Sequence, residues 1–203
     1  MKSMIKDALI LFAITLVAGL LLGVVYNVTK EPIEQQNQKA KMEACQNVFA
    51  DASDFEAMEN FNSEEAAAVL ADAGITGADI DEIMLAKDNS GSLAGYVITV
   101  TDHEGYGGDI QFSMGVAMDG TLNGISLLSI SETAGLGMRA EEVLVPQFKD
   151  KQVEKFDYTK SGAASDSEID AISGATITTK AVVTGVNAGL VYFDTALKGG
   201  SAQ

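Results

Sequence analysis

Residues 8–26 read "ALILFAITLVAGLLLGVVY", and Thr15 is the one polar interruption. No other feature restricts the chain so strongly. Nineteen residues at about 1.5 Å rise span roughly 28 Å, close to the hydrocarbon thickness of a bilayer. A core helix of a globular protein ordinarily keeps a polar face over five turns, and this stretch has none. A signal peptide has a shorter apolar region and a small-residue cleavage site, and the following "GVVYNVTKEP" offers no clear one. The segment is expected to be a retained, single transmembrane helix. Lys2 and Lys6 precede it and Lys30, Lys39 and Lys41 follow it, so lysine count does not set its orientation. Gly19 and Gly23, one turn after Thr15, form a small-residue stripe. It either seats a partner helix or reflects the glycine content of membrane helices in general.

The rest of the 203-residue chain has room for one domain. Pro32 is expected to end or redirect the membrane helix. A polar helix is expected over 33–49, and "DASDFEAMEN" reads as an acidic loop. "NSEEAAAVLADAG" reads as a capped helix, with Asn62 or Ser63 at its start and Gly74 as its stop. From 80 to 130 the residues turn β-branched and alternating, with a turn signal at Asp119-Gly120, which predicts an antiparallel hairpin or meander. "GMRAEEVLVPQF" suggests a short helix stopped near Pro146, and "FKDKQVEKFDYTKSG" a surface loop. A short strand, "EIDAI", leads into "SGAT". Val182, Val186, Leu190 and Phe193 then recur at helical spacing, giving a helix over about 177–197. The fold class is α+β: an N-terminal anchor over 1–29, a polar connector with an acidic loop over 30–60, and a domain over 61–203 with an antiparallel sheet and flanking helices.

Charge narrows the functions open to this domain. The net charge is −16, with 29 acidic residues against 13 basic ones, and Arg139 is the only arginine. Nucleic acid is excluded as a partner, because phosphate neutralisation needs clustered lysine and arginine. The charge keeps an exposed domain soluble or steers a partner. One cysteine, Cys45, and one histidine, His103, leave no Cys-rich zinc or iron–sulfur site, and no metal is expected. His103 lies far in sequence from the hydroxyl-rich "DAISGATITT" of 170–179, so a Ser-His-Asp triad requires the fold to bring it over.

"SGAT" lies between an expected strand and an expected helix. Gly174 and Ala175 leave the backbone uncovered, so a bulky group can approach. The helix start offers unpaired N–H groups and the positive end of the dipole, a ready site for a phosphate. A threonine hydroxyl there either caps the helix or is esterified to that phosphate. Two further glycine loops stand at strand ends. "SISETAGLG" carries Glu132 and Thr133 before Gly135, Leu136 and Gly137, and "HEGYGGDI" sets Tyr106 among glycines.

The order "GYGG", "VAMDGTLNGI", "SETAGLG", "DAISGAT" resembles that of covalent FMN-binding domains. These domains occur in the G subunit of the Rnf ion-translocating electron-transport complex and in the related C subunit of the sodium-pumping NADH:quinone reductase. The anchor, "VTKEPI" and the total length resemble the Rnf protein. The resemblance implies FMN joined through a phosphoester to Thr176 by a separate flavin transferase. It implies that Asp170, Ser173, Gly174 and Ala175 form the surrounding motif, with Thr178 and Thr179 outside the matching position. The loop with Glu132, Thr133, Gly135, Leu136 and Gly137 is expected to border the flavin, with Tyr106 alongside. Ala134 stands where the family usually has proline, which frees the loop backbone.

The implied function is an electron-carrying subunit of a ferredoxin:NAD oxidoreductase complex. Such a chain has no complete catalytic site of its own and assembles with other membrane and peripheral subunits. Its domain would face the extracytoplasmic side of the cell membrane. The alternatives are the C-type subunit of the quinone reductase, or a membrane-tethered scaffold without a redox cofactor.

Overall fold

A computed structural model describes residues 2–199, with side chains from Met4 onward. Met1, residues 200–203 and the Lys2 side chain lie outside the described residues, as do the outer ends of the 1–29 and 61–203 assignments. The chain forms two compact units, Met1–Ala40 and Lys41–Gln203.

In the first unit helix α1 (Lys2–Val48) begins, and its apolar residues are exposed. It is the one helix among the described residues that is long and apolar enough to cross a membrane. Thr15 returns its hydroxyl to the carbonyls of Leu11 and Phe12, at 3.1 and 3.0 Å. The single polar side chain of the stretch is thus satisfied within the helix, as hydrocarbon requires. Pro32 does not end the helix, which corrects the first of the two expectations for it. The ring deprives one carbonyl of its donor, a local loss of roughly 3 kcal/mol, and the hydrogen-bonded turns on either side continue past it.

The second unit is built on an antiparallel meander in strand order: β1 (Asp54–Ala57), β2 (Ala78–Lys87), β3 (Leu93–Asp102), β4 (Ile110–Ala117) and β5 (Leu122–Ser129). Strand β1 corrects the expectation of an acidic loop: it pairs with β2 from Asp54 opposite Lys87 to Ala57 opposite Met84. An edge strand with a charged outer row has no apolar alternation to read. Helix α2 (Ser63–Asp72) starts as expected, the Asn62 side chain accepting from the Glu64 N–H at 2.9 Å.

The sheet is covered on both faces, which is why nearly every residue of β3 is buried. On one face Tyr96, Ile98 and Val100 join the main core with Leu70 of α2 and Val182, Val186 and Leu190 of helix α4 (Thr176–Tyr192). Phe193 follows in a π-helical stretch, Phe193–Leu197. On the other face Val97 and Ala86 meet Cys45, Val48 and Phe49 from the end of α1.

Between β5 and α4 the chain makes two 3-10 turns, Gly137–Arg139 and Val145–Phe148, flanking α3 (Ala140–Val143). The stretch expected to loop over the surface does more. Phe148 and Phe156 are buried edge to face, 5.1 Å between ring centres. Strand β6 (Asp157–Thr159) pairs in parallel with β7 (Glu168–Asp170). Asn187 of α4 grips the Phe156 backbone in both directions at 2.8 Å. Two aromatic anchors and one buried amide hold a segment whose composition is otherwise polar.

Candidate functional site

Three loops meet at the start of α4: 103–109 before β4, 130–136 after β5, and 171–175 before the helix itself. They enclose a cleft of about 470 Å³ lined by Tyr106, Glu132, Thr133, Leu136, Gly137, Gly174, Ala175, Thr176, Ile177 and Thr178. That volume lies within the roughly 300–1,000 Å³ of small-molecule sites.

The loops fit closely because of their glycines. A Cβ on Gly137 would stand 2.6 Å from the Thr178 hydroxyl and 2.7 Å from the Glu132 Cβ. Gly174 adopts φ 80°, and a side chain there would press on Leu136. Glu132 bridges two loops, its Oε1 accepting from the Gly107 N–H at 3.2 Å. The walls are apolar where they meet solvent: Tyr106 is 70 % exposed, Ile177 51 % and Leu136 40 %. Large apolar side chains left to water around a cleft suit a flat ring system.

Thr176 is the first residue of α4 and is half-buried. Its hydroxyl has no hydrogen-bond partner among the described residues, and no side chain caps the helix. The capping alternative for this hydroxyl therefore falls away. The first turn itself carries no acidic residue, and the carboxylate lining the cleft is Glu132 of the neighbouring loop. Free N–H groups, a free hydroxyl and apolar walls together fit a phosphate-bearing flavin.

Eight of the eleven residues expected around the flavin line the cleft. Gly135, Asp170 and Ser173 do not. Asp170 and Ser173 turn outward and are exposed. Ile177 and Thr178 line the cleft without having been expected there. The signal was the helix start: α4 begins at Thr176, one residue earlier than read, and its first three residues line the cleft. Thr179 is different again, fully buried and bonded to backbone.

The loop that carries Tyr106 is fastened by charge. His103 sits between two carboxylates, Nδ1 at 2.9 Å from Asp109 and Nε2 at 3.1 Å from Asp79. The hydrogen bond to Asp109, then that to Asp79, raises its pKa above the ordinary value. His103 is not among the cleft-lining residues, so the fold builds no histidine triad on Thr176. Glu104 pairs with Lys180 of α4 at 2.8 Å. Beneath them Asp102 is fully buried; its Oδ1 accepts from the Glu104 N–H at 2.8 Å and its Oδ2 has no partner. Burial pushes this carboxyl up to about 6. Cys45 is buried on the far face of the sheet, where desolvation pushes its thiol up to about 11, and it takes no part in the cleft.

Comparison with known proteins meets this geometry. Residues 105–191 match the FMN-binding domain family, and residues 1–48 match the RnfG N-terminal region. The G subunit of the Na(+)-translocating ferredoxin:NAD(+) oxidoreductase complex of Acetobacterium woodii is 33 % identical, covering 97 % of this chain and 95 % of that one. The G subunit of the ion-translocating oxidoreductase complex of Methanosarcina acetivorans is 29 % identical over 94 % of this chain and 95 % of its own. The G subunit of the proton-translocating ferredoxin:NAD(+) oxidoreductase complex of Clostridium ljungdahlii is 28 % identical over 89 % and 90 %. A crystal structure of Shewanella oneidensis NqrC is similar over 58 % of both chains at 22 % identity, with a TM-score of 0.47. A match to the RnfG N-terminal region, an FMN-binding domain and a nearly full-length relative of one third identity agree: the chain belongs to the family of G subunits of Rnf-type ion-translocating oxidoreductase complexes.

Proposed function

We propose that this chain is the electron-carrying subunit of an ion-translocating ferredoxin:NAD oxidoreductase complex, with FMN bound covalently through a phosphoester to Thr176. The observation that carries the attachment site is the Thr176 hydroxyl, unbonded and half-exposed at the start of α4 inside a cleft made by the glycine loops, whereas Thr178 in the same cleft is buried. Bound FMN supplies one- and two-electron transfer. The protein's part is to hold and shield it. The N–H groups of the first turn of α4 receive the phosphate oxygens. Tyr106, Leu136 and Ile177 would supply apolar surface for the ring, and Glu132 and Thr133 would supply polar groups of the same cleft. Gly135 shapes the bordering loop with its φ of 77°. Asp170 and Ser173, exposed and outside the cleft, are read by the flavin transferase rather than by the flavin.

The chain is a membrane protein: its relatives are subunits of ion-translocating complexes, and its apolar N-terminal helix is long enough to cross a bilayer. In this reading the anchor lies within 1–29 and crosses once, and 30–60 links it to the FMN-binding domain of 61–203 on the extracytoplasmic side. The stretch from Lys41 already packs with that domain. Other membrane and peripheral subunits of the complex are its partners in electron transfer.

Expression of the full chain with a flavin transferase, followed by a denaturing gel viewed for flavin fluorescence, tests the assignment. Thr176→Ala is expected to abolish the fluorescence and the matching mass increment. Covalent flavin retained by Thr176→Ala would overturn it. Thr178→Ala is no neutral control, because Thr178 itself lines the cleft.

A further inference from the structure

Every hydrogen bond to the segment that leads into Thr176 takes its backbone. At one end the Gln147 side chain clasps Asp170, its Oε1 accepting from the Asp170 N–H at 2.7 Å and its Nε2 donating to the Asp170 carbonyl at 3.1 Å. Next, the Ala171 N–H donates to the Thr159 carbonyl at 2.8 Å. At the other end the buried Thr179 hydroxyl accepts from the Ile172 N–H at 3.1 Å and donates to the Ala175 carbonyl at 3.0 Å. Ser173 and Gly174 bulge out between those two atoms, Gly174 at positive φ. The side chains of Asp170 and Ser173 are left exposed and unbonded among the described residues. A segment held only by its backbone keeps its side chains for a visiting protein.

Thr179 and Thr176 differ in what their hydroxyls do. A threonine near a helix start commonly turns its hydroxyl onto the backbone. Here Thr179, buried three residues further on, closes the loop onto the helix instead. The Thr176 hydroxyl has no such duty.

We infer that Thr179, with Gln147, is a positioning residue for flavin attachment: the two hold residues 170–175 in the shape that presents Thr176 and its flanking motif to the transferase. The inference rests on the reading of Thr176 given above. In the attachment step the Thr176 oxygen forms a bond to the flavin-nucleotide phosphorus, the bond from that phosphorus to the leaving group breaks, and the hydroxyl proton passes to a base of the transferase. A flavin dinucleotide, a phosphoric anhydride, is the donor class, because its leaving group is a nucleoside monophosphate. FMN itself would have to expel hydroxide. Nothing is oxidised or reduced. Such a displacement needs the nucleophile in line, and misplacement by about 1 Å costs on the order of 100-fold.

The test uses the full chain in membranes with a flavin transferase and flavin adenine dinucleotide, following covalent incorporation over time by intact mass. Thr179→Val keeps shape and removes both hydrogen bonds, and is expected to slow attachment by about tenfold or more. Thr179→Ser restores the hydroxyl and is expected to attach within about twofold of the wild-type rate. Gln147→Leu, at a half-buried position, probes the other end and is expected to slow attachment by about threefold or more. Folding of each variant is checked by its thermal transition. Wild-type rates in a folded Thr179→Val protein, or equal slowing in Thr179→Ser, would overturn the inference. If Thr179→Val does not fold, a wild-type rate in Gln147→Leu overturns it. Peptide mapping of the wild-type protein separates the two readings. Flavin on a residue other than Thr176 removes the site assignment itself, whereas flavin on Thr176 at undiminished rate in the variants removes only the positioning role.

Discussion

The first turn of α4 and its body are one helix held in two ways. In the body Ala181, Val182, Val186 and Ala188 are completely buried against the sheet, and Gly185 lets the Phe112 ring approach closely enough that a Cβ there would stand 2.9 Å from it. In the first turn Thr176 is half-exposed and Ile177 exposed. That turn is fastened by the Thr179 hydroxyl, the Lys180–Glu104 pair and the close approach of Gly137. The body is stabilised by many apolar contacts, no one of which decides its position. At the start Thr178 and Thr179 are buried as well, but the contacts that fix the turn are polar and directional, and they orient more than they stabilise. Stability and flavin loading are therefore separable by mutation.

Damage to the body should show the largest effect on stability. Val186→Ala removes two buried methyl groups and leaves a cavity, for a loss of about 2–3 kcal/mol. Against a total of roughly 5–15 kcal/mol for a domain, the protein stays folded near room temperature. Urea unfolding measures the loss, and covalent flavin on the folded fraction should match wild type. A Val186→Ala protein that keeps its stability but loses its flavin would erase the distinction between body and start.

The junction of the two regions is sensitive to pH. Asp102 lies beneath the Glu104–Lys180 pair, near His103, and burial lifts its carboxyl from an ordinary value of 3.8 to about 6. Between those values the folded protein binds more protons than the unfolded chain, so stability falls as pH rises through the window and the penalty persists above it. Asp102→Asn should abolish that decline, worth on the order of 2 kcal/mol, in unfolding curves taken at pH 4 and pH 7. His103 contributes in the same direction at higher pH. Its pKa is raised, so its two ion pairs are complete at low pH and lost as pH climbs through the folded-state value. A variant with an unchanged decline over the acid window would move the effect from Asp102 to other carboxylates.

The sequence showed the body of α4 more plainly than its start. Val182, Val186, Leu190 and Phe193 repeat at helical spacing because one face is buried throughout, and burial leaves a periodic mark. The meander and the Asn62 cap were legible for similar reasons: β-branched runs and a cap residue are local chemistry. The hydroxyls of 173–179 were not distinguishable by composition. Which one faces the cleft, the core or solvent depends on whether the helix starts at 176 or 177, a shift no propensity resolves. Tertiary contacts also decided Phe156, which a polar neighbourhood concealed, and β1, whose exposed acidic residues read as loop. The eight cleft residues came from the resemblance to covalent FMN-binding domains, carried by the order of the glycine loops, and not from composition or spacing. Asp170 and Ser173 belong to the same motif yet stand exposed outside the cleft, because a sequence motif does not say which of its side chains face a cavity and which face solvent.

The smallest effect should come from Lys180, and it probes the first turn directly. The Lys180–Glu104 pair is 2.8 Å long, with both side chains about half-exposed at 55 and 45 %. Water and salt screen such a pair, so Lys180→Met should cost no more than about 1 kcal/mol. The pair nevertheless spans from α4 to the loop that carries Tyr106, so its loss should loosen one wall of the cleft. The expected signature is a thermal midpoint close to wild type, a smaller dependence of that midpoint on salt, and flavin fluorescence more accessible to a soluble quencher. A loss of several kcal/mol in Lys180→Met would mean that the first turn is held as the body is, by contacts on which the fold itself depends. A small loss with unchanged quenching would assign the Tyr106 wall to His103 and its two carboxylates instead.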